Sequence, residues 1–207
     1  MLVDLTVAEF SRVLASDAPA PGGGSVAALS GALAADLLSM VCRLSLGKKE
    51  YEEHAAQLDD ILKKSSAIST SLLHRIDLDT AAFNEVMAAF KLPKSSELEK
   101  KERANAIQQA YKKAVESPLG IARECRAVLQ LASAALGKTN TNALSDLGVA
   151  GQEAIVGVEA AIMNVRINIP SLKDEAYRNE ITSELSDLLQ DARKLQQDVY
   201  HYVTERL

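Results

Sequence analysis

The sequence predicts an all-α protein, an elongated bundle of about seven helices. Apolar residues recur at alternating spacings of three and four through most of the 207 residues. No stretch shows the period-two alternation of a half-buried strand. Gly, Pro and capping residues cut the chain into about seven helical lengths. With 47% hydrophobic residues the chain can bury a substantial core, and its length makes one domain, residues 1–207, the first expectation.

A short amphipathic helix runs from Leu5 to Leu14 with Thr6 as its cap, and Ser16-Asp17 ends it. The stretch Ala18-Pro19-Ala20-Pro21-Gly22-Gly23-Gly24-Ser25 follows. Its prolines stiffen the approach, its glycines admit unusual backbone angles, and Ser25 stands where an N-cap should stand. Amides freed at such a helix start, with no side chains in the way, can hold a phosphate, a carboxylate or a ring carbonyl. No Lys-Ser or Lys-Thr follows the glycines and no strand precedes them, so this is neither a nucleotide P-loop nor a dinucleotide fingerprint. A helix start that merely packs closely is the alternative.

From Ser25 to Leu46 the chain is apolar and rich in Ala, Ser and Gly. Asp36 and Arg43 interrupt it and would be costly in a lone membrane span, so a buried central helix is expected. Gly47 ends it, with Lys48-Lys49 just beyond. Tyr51 to Phe90 then reads helical, with a stripe through Leu58, Ile61, Ser65, Ile68, Leu72, Ile76, Asp79, Phe83, Val86 and Phe90. Asp79 takes a position where the pattern demands an apolar side chain, so the fold should carry it inward, where desolvation moves its pKa. Alternatively the helix ends near Ile76, and Asp79 caps a second segment beginning at Thr80.

Pro93 stops this helix and Lys94 follows; Ser96 with Glu99 forms a capping box for a helix from Glu97 to Glu116. Ser117-Pro118 reads as a break before a helix from Leu119 to Leu136, closed by Gly137. The polar turn Gly137 to Asn142 leads into a helix from Ala143 to about Ile167. One of its faces, Leu147, Gly151, Ala154, Val158, Ala161 and Val165, is apolar but small, and the adjacent face carries Asp146, Glu153, Asn164 and Asn168. Asp146 and Asn164 are five turns apart, about 27 Å, so they cannot touch one reacting atom. A final helix from about Leu172 to Leu207 carries a seam of Ile181, Leu185, Leu188, Ala192, Leu195, Val199 and Tyr202, which either closes the bundle or builds a dimer.

A net charge of −5 with no dominant basic cluster argues against a nucleic-acid partner. Cys42 and Cys125 stand alone within helical patterns and read as buried thiols of a reducing compartment. His54, His74 and His201 show no two-ligand spacing, and metal is not expected. The N-terminus lacks a basic lead followed by an apolar core and cleavage site, so a cytoplasmic location is expected, with no membrane partner.

Taken together the motifs resemble the cyclodeaminase family, folate enzymes related to the C-terminal half of formiminotransferase-cyclodeaminase. The residues that carry the resemblance are PAPGGGSVAAL (Pro19 to Leu29), GKKEY (Gly47 to Tyr51), DTAAFNEVMAAFKLPK (Asp79 to Lys94), Arg103 with Ile107-Gln108, Asn142 with Ser145-Asp146, and NVRIN (Asn164 to Asn168). In the turn before Asn142 the chain departs from the Gly-Asn pair that the family favours.

The resemblance implies an all-helical homodimer that binds a tetrahydrofolate derivative, with or without a polyglutamate tail, and needs neither metal nor any cofactor beyond that substrate. It implies a formiminotetrahydrofolate cyclodeaminase, giving 5,10-methenyltetrahydrofolate and ammonia, or alternatively a methenyltetrahydrofolate cyclohydrolase, giving 10-formyltetrahydrofolate. Either reaction needs a group that takes and returns a proton, and Asp79 is the expected one, with Asp146 second and Lys49 or Lys94 as a positive neighbour or ligand anchor. Substrate binding is expected from Pro21, Gly22, Gly23, Gly24 and Ser25, from Phe83, from Asn142, Ser145 and Asn164, and, for the anionic tail, from Lys48, Lys49, Lys94 or Arg103. A reading of another class is a non-catalytic helical dimerisation module, which would have no use for a carboxylate on an apolar stripe.

Overall fold

A long helix of small residues can be approached closely on several sides, and the fold is built on one. The computed structural model describes residues 1–207: α1 spans Val7–Leu14, α2 Gly23–Ser45, α3 Ala55–Phe90, α4 Glu97–Ala135, α5 Leu144–Asn168 and α6 Glu175–Thr204, and there is no strand. By length and composition α2 could cross a membrane, but Ala27, Ala28, Ala34, Ala35, Leu38 and Val41 are fully buried in the bundle. It packs chiefly on α3 and α5, with α4 behind them and α6 closing the far side against α4 and α5. One core of 37 buried residues joins these helices.

Local signals account for several helix ends. Thr6 and Glu9 form the capping box of α1, Ser96 and Glu99 that of α4, and the Asp174 side chain caps α6. Gly47, at φ +79°, provides the left-handed turn that releases the chain after α2. Burial pushes the Cys42 thiol up to about 11 and the Cys125 thiol up to about 12, which leaves both as inert packing groups.

One sequence expectation needs correction, and two open alternatives are decided. Ser117-Pro118 is not a break: α4 runs unbroken through it, so there are six α-helices and not seven. A proline inside a helix ordinarily costs ~3 kcal/mol, because the carbonyl four residues earlier loses its donor. Here that carbonyl, on Ala114, accepts instead from the Asn168 side-chain nitrogen at 3.2 Å. α3 is likewise continuous, so Asp79 lies inside a helix and caps nothing. The α6 seam closes the bundle, because Ile181, Leu185, Leu188, Ala192 and Val199 are buried against α4 and α5 of the same chain.

Beyond Asp79, α3 and the first half of α4 pack on each other as an arm with its own small core of Val86, Ala89, Ala110 and Ala114. Apolar surface is left uncovered both on this arm, at Met87, Phe90, Leu92 and Leu98, and on α2 and α5. On the latter two helices Leu33, Leu44, Val149, Val156, Met163 and Ile167 are between 44% and 76% exposed.

Candidate functional site

The start of α2 lies between α3 and α5, and two glycines make that position available. A Cβ on Gly24 would come within 2.3 Å of the Asp79 carboxylate, and one on Gly23 within 2.9 Å of the Asn164 amide nitrogen. Gly22, not Ser25, is the N-cap residue. Ser25 is buried in the first turn and donates its hydroxyl to the Ile76 carbonyl at 2.8 Å, so it fixes α2 to α3 one turn before Asp79. Pro21 is buried outside the cleft that these residues open.

That cleft has a volume of about 440 Å³ and two kinds of wall. Its polar end holds Gly22 and Gly23, Asp79 and Thr80 of α3, and Asn164 and Asn168 of α5. Its apolar wall is the inner side of the arm, where Phe83, Val86, Met87 and Phe90 meet Tyr111. Phe90 and Tyr111 pack edge to face, with ring centroids 6.2 Å apart. A flat ring system with one polar edge fits such walls.

Burial raises the Asp79 carboxyl above the ordinary value of 3.8, against a smaller opposing effect from the Ser25 backbone N–H at the start of α2. Loss of hydration therefore outweighs the favourable helix terminus, and the carboxyl holds its proton to higher pH than an exposed aspartate does. No lysine or arginine lines the cleft. Arg103 lies behind its apolar wall, stacked 5.6 Å over the Phe90 ring and donating to the Phe90 carbonyl, and Lys94 is exposed past the end of α3.

The remaining expected residues gather at the other end of α2. Lys48 and Lys49 are exposed there. The turn before α5 docks beside them: Asn140 donates its backbone N–H to Ser45 Oγ at 2.7 Å and its side chain to the Leu44 carbonyl, and Thr141 donates to the Tyr51 hydroxyl. Asn140 is thus the structural asparagine, which leaves Asn142 and Ser145 exposed and Asp146 half-buried beside the lysines. At 1.5 Å per residue the 23 residues of α2 set this cluster ~34 Å from Asp79. Within one chain Asp79, Gly22, Gly23, Phe83 and Asn164 come together, while Lys48, Lys49, Asn142, Ser145 and Asp146 do not join them.

Sequence reasoning missed Thr80, Met87, Tyr111, Pro118 and Ile167 as cleft residues, and placed Asn168 in a motif without a role. The four-residue spacing of Asn164 and Asn168 and the seven-residue spacing of Phe83 and Phe90 were available signals.

The profile of the family described as formiminotransferase-cyclodeaminase matches residues 6–187. The chain is 43% identical over 202 residues to the methenyltetrahydrofolate cyclohydrolase of Methylorubrum extorquens, covering 98% of this chain and 97% of that protein. It is 33% identical over 192 residues to the formimidoyltransferase-cyclodeaminase of Mus musculus, where the match takes in 93% of this chain and 36% of the longer protein. In three dimensions it resembles the crystal structure of formiminotetrahydrofolate cyclodeaminase from Thermotoga maritima, with a TM-score of 0.90, 26% identity, and coverage of 99% and 98% of the two chains.

Proposed function

This chain belongs to the formiminotransferase-cyclodeaminase family, and we propose that it acts on the one-carbon unit held between N5 and N10 of tetrahydrofolate, as a methenyltetrahydrofolate cyclohydrolase or a formiminotetrahydrofolate cyclodeaminase. The observation that carries the reading is a half-buried carboxylate with a raised pKa at the polar end of an apolar-walled cleft. In hydrolysis, water adds to the methenyl carbon, its proton passes to Asp79, and the carbon–N5 bond breaks as N5 is protonated, leaving 10-formyltetrahydrofolate. In cyclodeamination, N10 adds to the formimino carbon, Asp79 protonates the departing nitrogen, and ammonia leaves as the methenyl cation forms. Both are proton-coupled additions and eliminations, and the tetrahydrofolate carries the carbon, so the reading needs no further cofactor. In either direction the cationic methenyl centre is stabilised by the carboxylate.

Similarity to the cyclohydrolase over nearly the whole of both chains supports hydrolysis, and similarity to the solved cyclodeaminase supports the second reading. Absorbance of the methenyl compound tests both: it falls if the protein hydrolyses that compound and rises if the protein cyclises the formimino compound. No change with either substrate would overturn the proposal.

Two copies of the chain pair, in this account, through the exposed apolar side of α2 and α5. Its residue Ile167 also lines the cleft, so the same face borders the site. A two-fold axis across that face runs the helices of the two copies antiparallel and sets the Lys48, Lys49 and Asp146 end of one against the Asp79 end of the other. The partner then supplies the positive charge that the cleft lacks, for an anionic glutamyl tail. A soluble bundle with two inert free thiols suits a reducing cytoplasm.

A further inference from the structure

Pro118 and Asn168 are linked through one carbonyl, that of Ala114. Both line the cleft, and they come from helices that cross there. Because residue 118 is a proline, the Ala114 carbonyl has no donor from its own helix. The Asn168 side-chain nitrogen spends one N–H on that carbonyl at 3.2 Å and the other on the Asn164 carbonyl at 2.9 Å. With both N–H groups committed, the amide cannot turn over, and its oxygen must point away from the two carbonyls. Asn164 is oriented by a single donation, to the Ala160 carbonyl at 2.8 Å. Neither amide oxygen accepts a hydrogen bond from the chain, and neither is sealed off in the interior as the unpartnered Ser117 hydroxyl is.

We infer that Pro118 is a positioning residue: it fixes the Asn168 amide so that its oxygen, with that of Asn164, presents a pair of acceptors to the cleft for an N–H edge of the ligand. This rests on the folate reading above and adds the orientation of the substrate. A 2-amino-4-oxopyrimidine edge offers two adjacent N–H donors to those oxygens and a carbonyl to the backbone N–H groups that begin α2. The ring then lies at the polar end and the rest of the ligand runs along the arm past Phe83 and Phe90.

Four proteins test it: the wild type, Pro118→Ala, Asn168→Ala and the double variant. Each is measured by thermal unfolding, by calorimetric binding of 5-formyltetrahydrofolate, and by kcat and KM for the methenyl compound. Pro118→Ala restores the helical donor and should unfold at the same or a higher temperature. Its Kd and KM should nevertheless rise about tenfold while kcat changes less than twofold, because binding is affected and proton transfer is not. Asn168→Ala should weaken binding about as much and lower the unfolding temperature. Added to Pro118→Ala it should do little more of either, since the pair acts as one unit. Pro118→Ala with wild-type Kd and KM, or strictly additive effects in the double variant, would overturn the inference. A wild type that does not bind 5-formyltetrahydrofolate would overturn the folate orientation along with the reading it rests on, while the unfolding cycle would still test whether Pro118 fixes Asn168. If Pro118→Ala does not fold, Asn168→Ala decides: an unchanged Kd there also overturns the inference.

Discussion

The two ends of α2 are built on opposite plans. At its start, bare glycine backbone, a carboxylate with a raised pKa and an aromatic wall enclose a cleft with no cation in it. At its end, exposed lysines and a polar turn form an open surface held together by Asn140 and Tyr51. Proton chemistry is favoured by the first environment, because partial desolvation raises the pKa of an aspartate. The proposed capture of an anionic tail uses the second, where the lysines stand exposed at the surface. One helix ~34 Å long keeps the two conditions apart within a chain, and only the proposed pairing of chains would bring them together.

The comparison breaks most readily at Gly24. A methyl group there meets the Asp79 carboxylate at 2.3 Å, so Gly24→Ala must move it, and a displacement on that scale is expected to cost roughly a hundredfold in kcat/KM with cooperative unfolding retained. Activity within a few fold of wild type would show that the close approach of α2 to Asp79 does not matter to the chemistry.

Charge at the other end is expected to matter less. Lys49→Met keeps the stem and removes the charge, and it should raise the Kd for a reduced folate about tenfold, the scale of one charged hydrogen bond. Sedimentation should show a dimer. A monomer that binds as tightly with Met at position 49, and about tenfold more weakly after Lys94→Met, would place the tail on the arm of the same chain.

The smallest effect sharpens the account of Asp79. Its raised pKa means that the folded state holds this proton to higher pH than the unfolded state does. The stability it contributes is therefore present below the ordinary value of 3.8 and lost as pH rises through the folded pKa. Asp79→Asn should unfold at a higher temperature than the wild type at neutral pH, and the difference should close in acid. A gap of the opposite sign would mean that the helix terminus, not burial, sets the group.

How far the sequence could be read follows from the range of the forces involved. Asp79 was legible because a helical stripe is a local pattern, and one carboxylate among Leu72, Ile76, Phe83 and Val86 stands out within it. The start of α2 was misplaced by three residues because Ser25 has a partner, the Ile76 carbonyl, 51 positions away, and that contact overrides its preference for a cap. Pro118 was misread for the same reason, its compensation coming from Asn168, 54 positions beyond Ala114. That Lys49 and Asp146 lie far from Asp79 was hidden in plain spacing: the length of α2 was known, but not that α3 and α5 run alongside it and leave the two motif groups at opposite ends.

The central claim is that Asp79 carries the proton and that Asp146, at the other end of the helix, does not. Turnover of the methenyl compound by Asp79→Asn and Asp146→Asn, measured side by side, tests it most directly. The amide keeps the shape and most of the hydrogen bonding of Asp79 but cannot exchange the proton. Its kcat should fall about a hundredfold or more while folding and folate affinity survive, and Asp146→Asn should lose about tenfold or less. Full turnover in Asp79→Asn with activity abolished in Asp146→Asn would contradict the assignment and move the chemistry to the far end of α2.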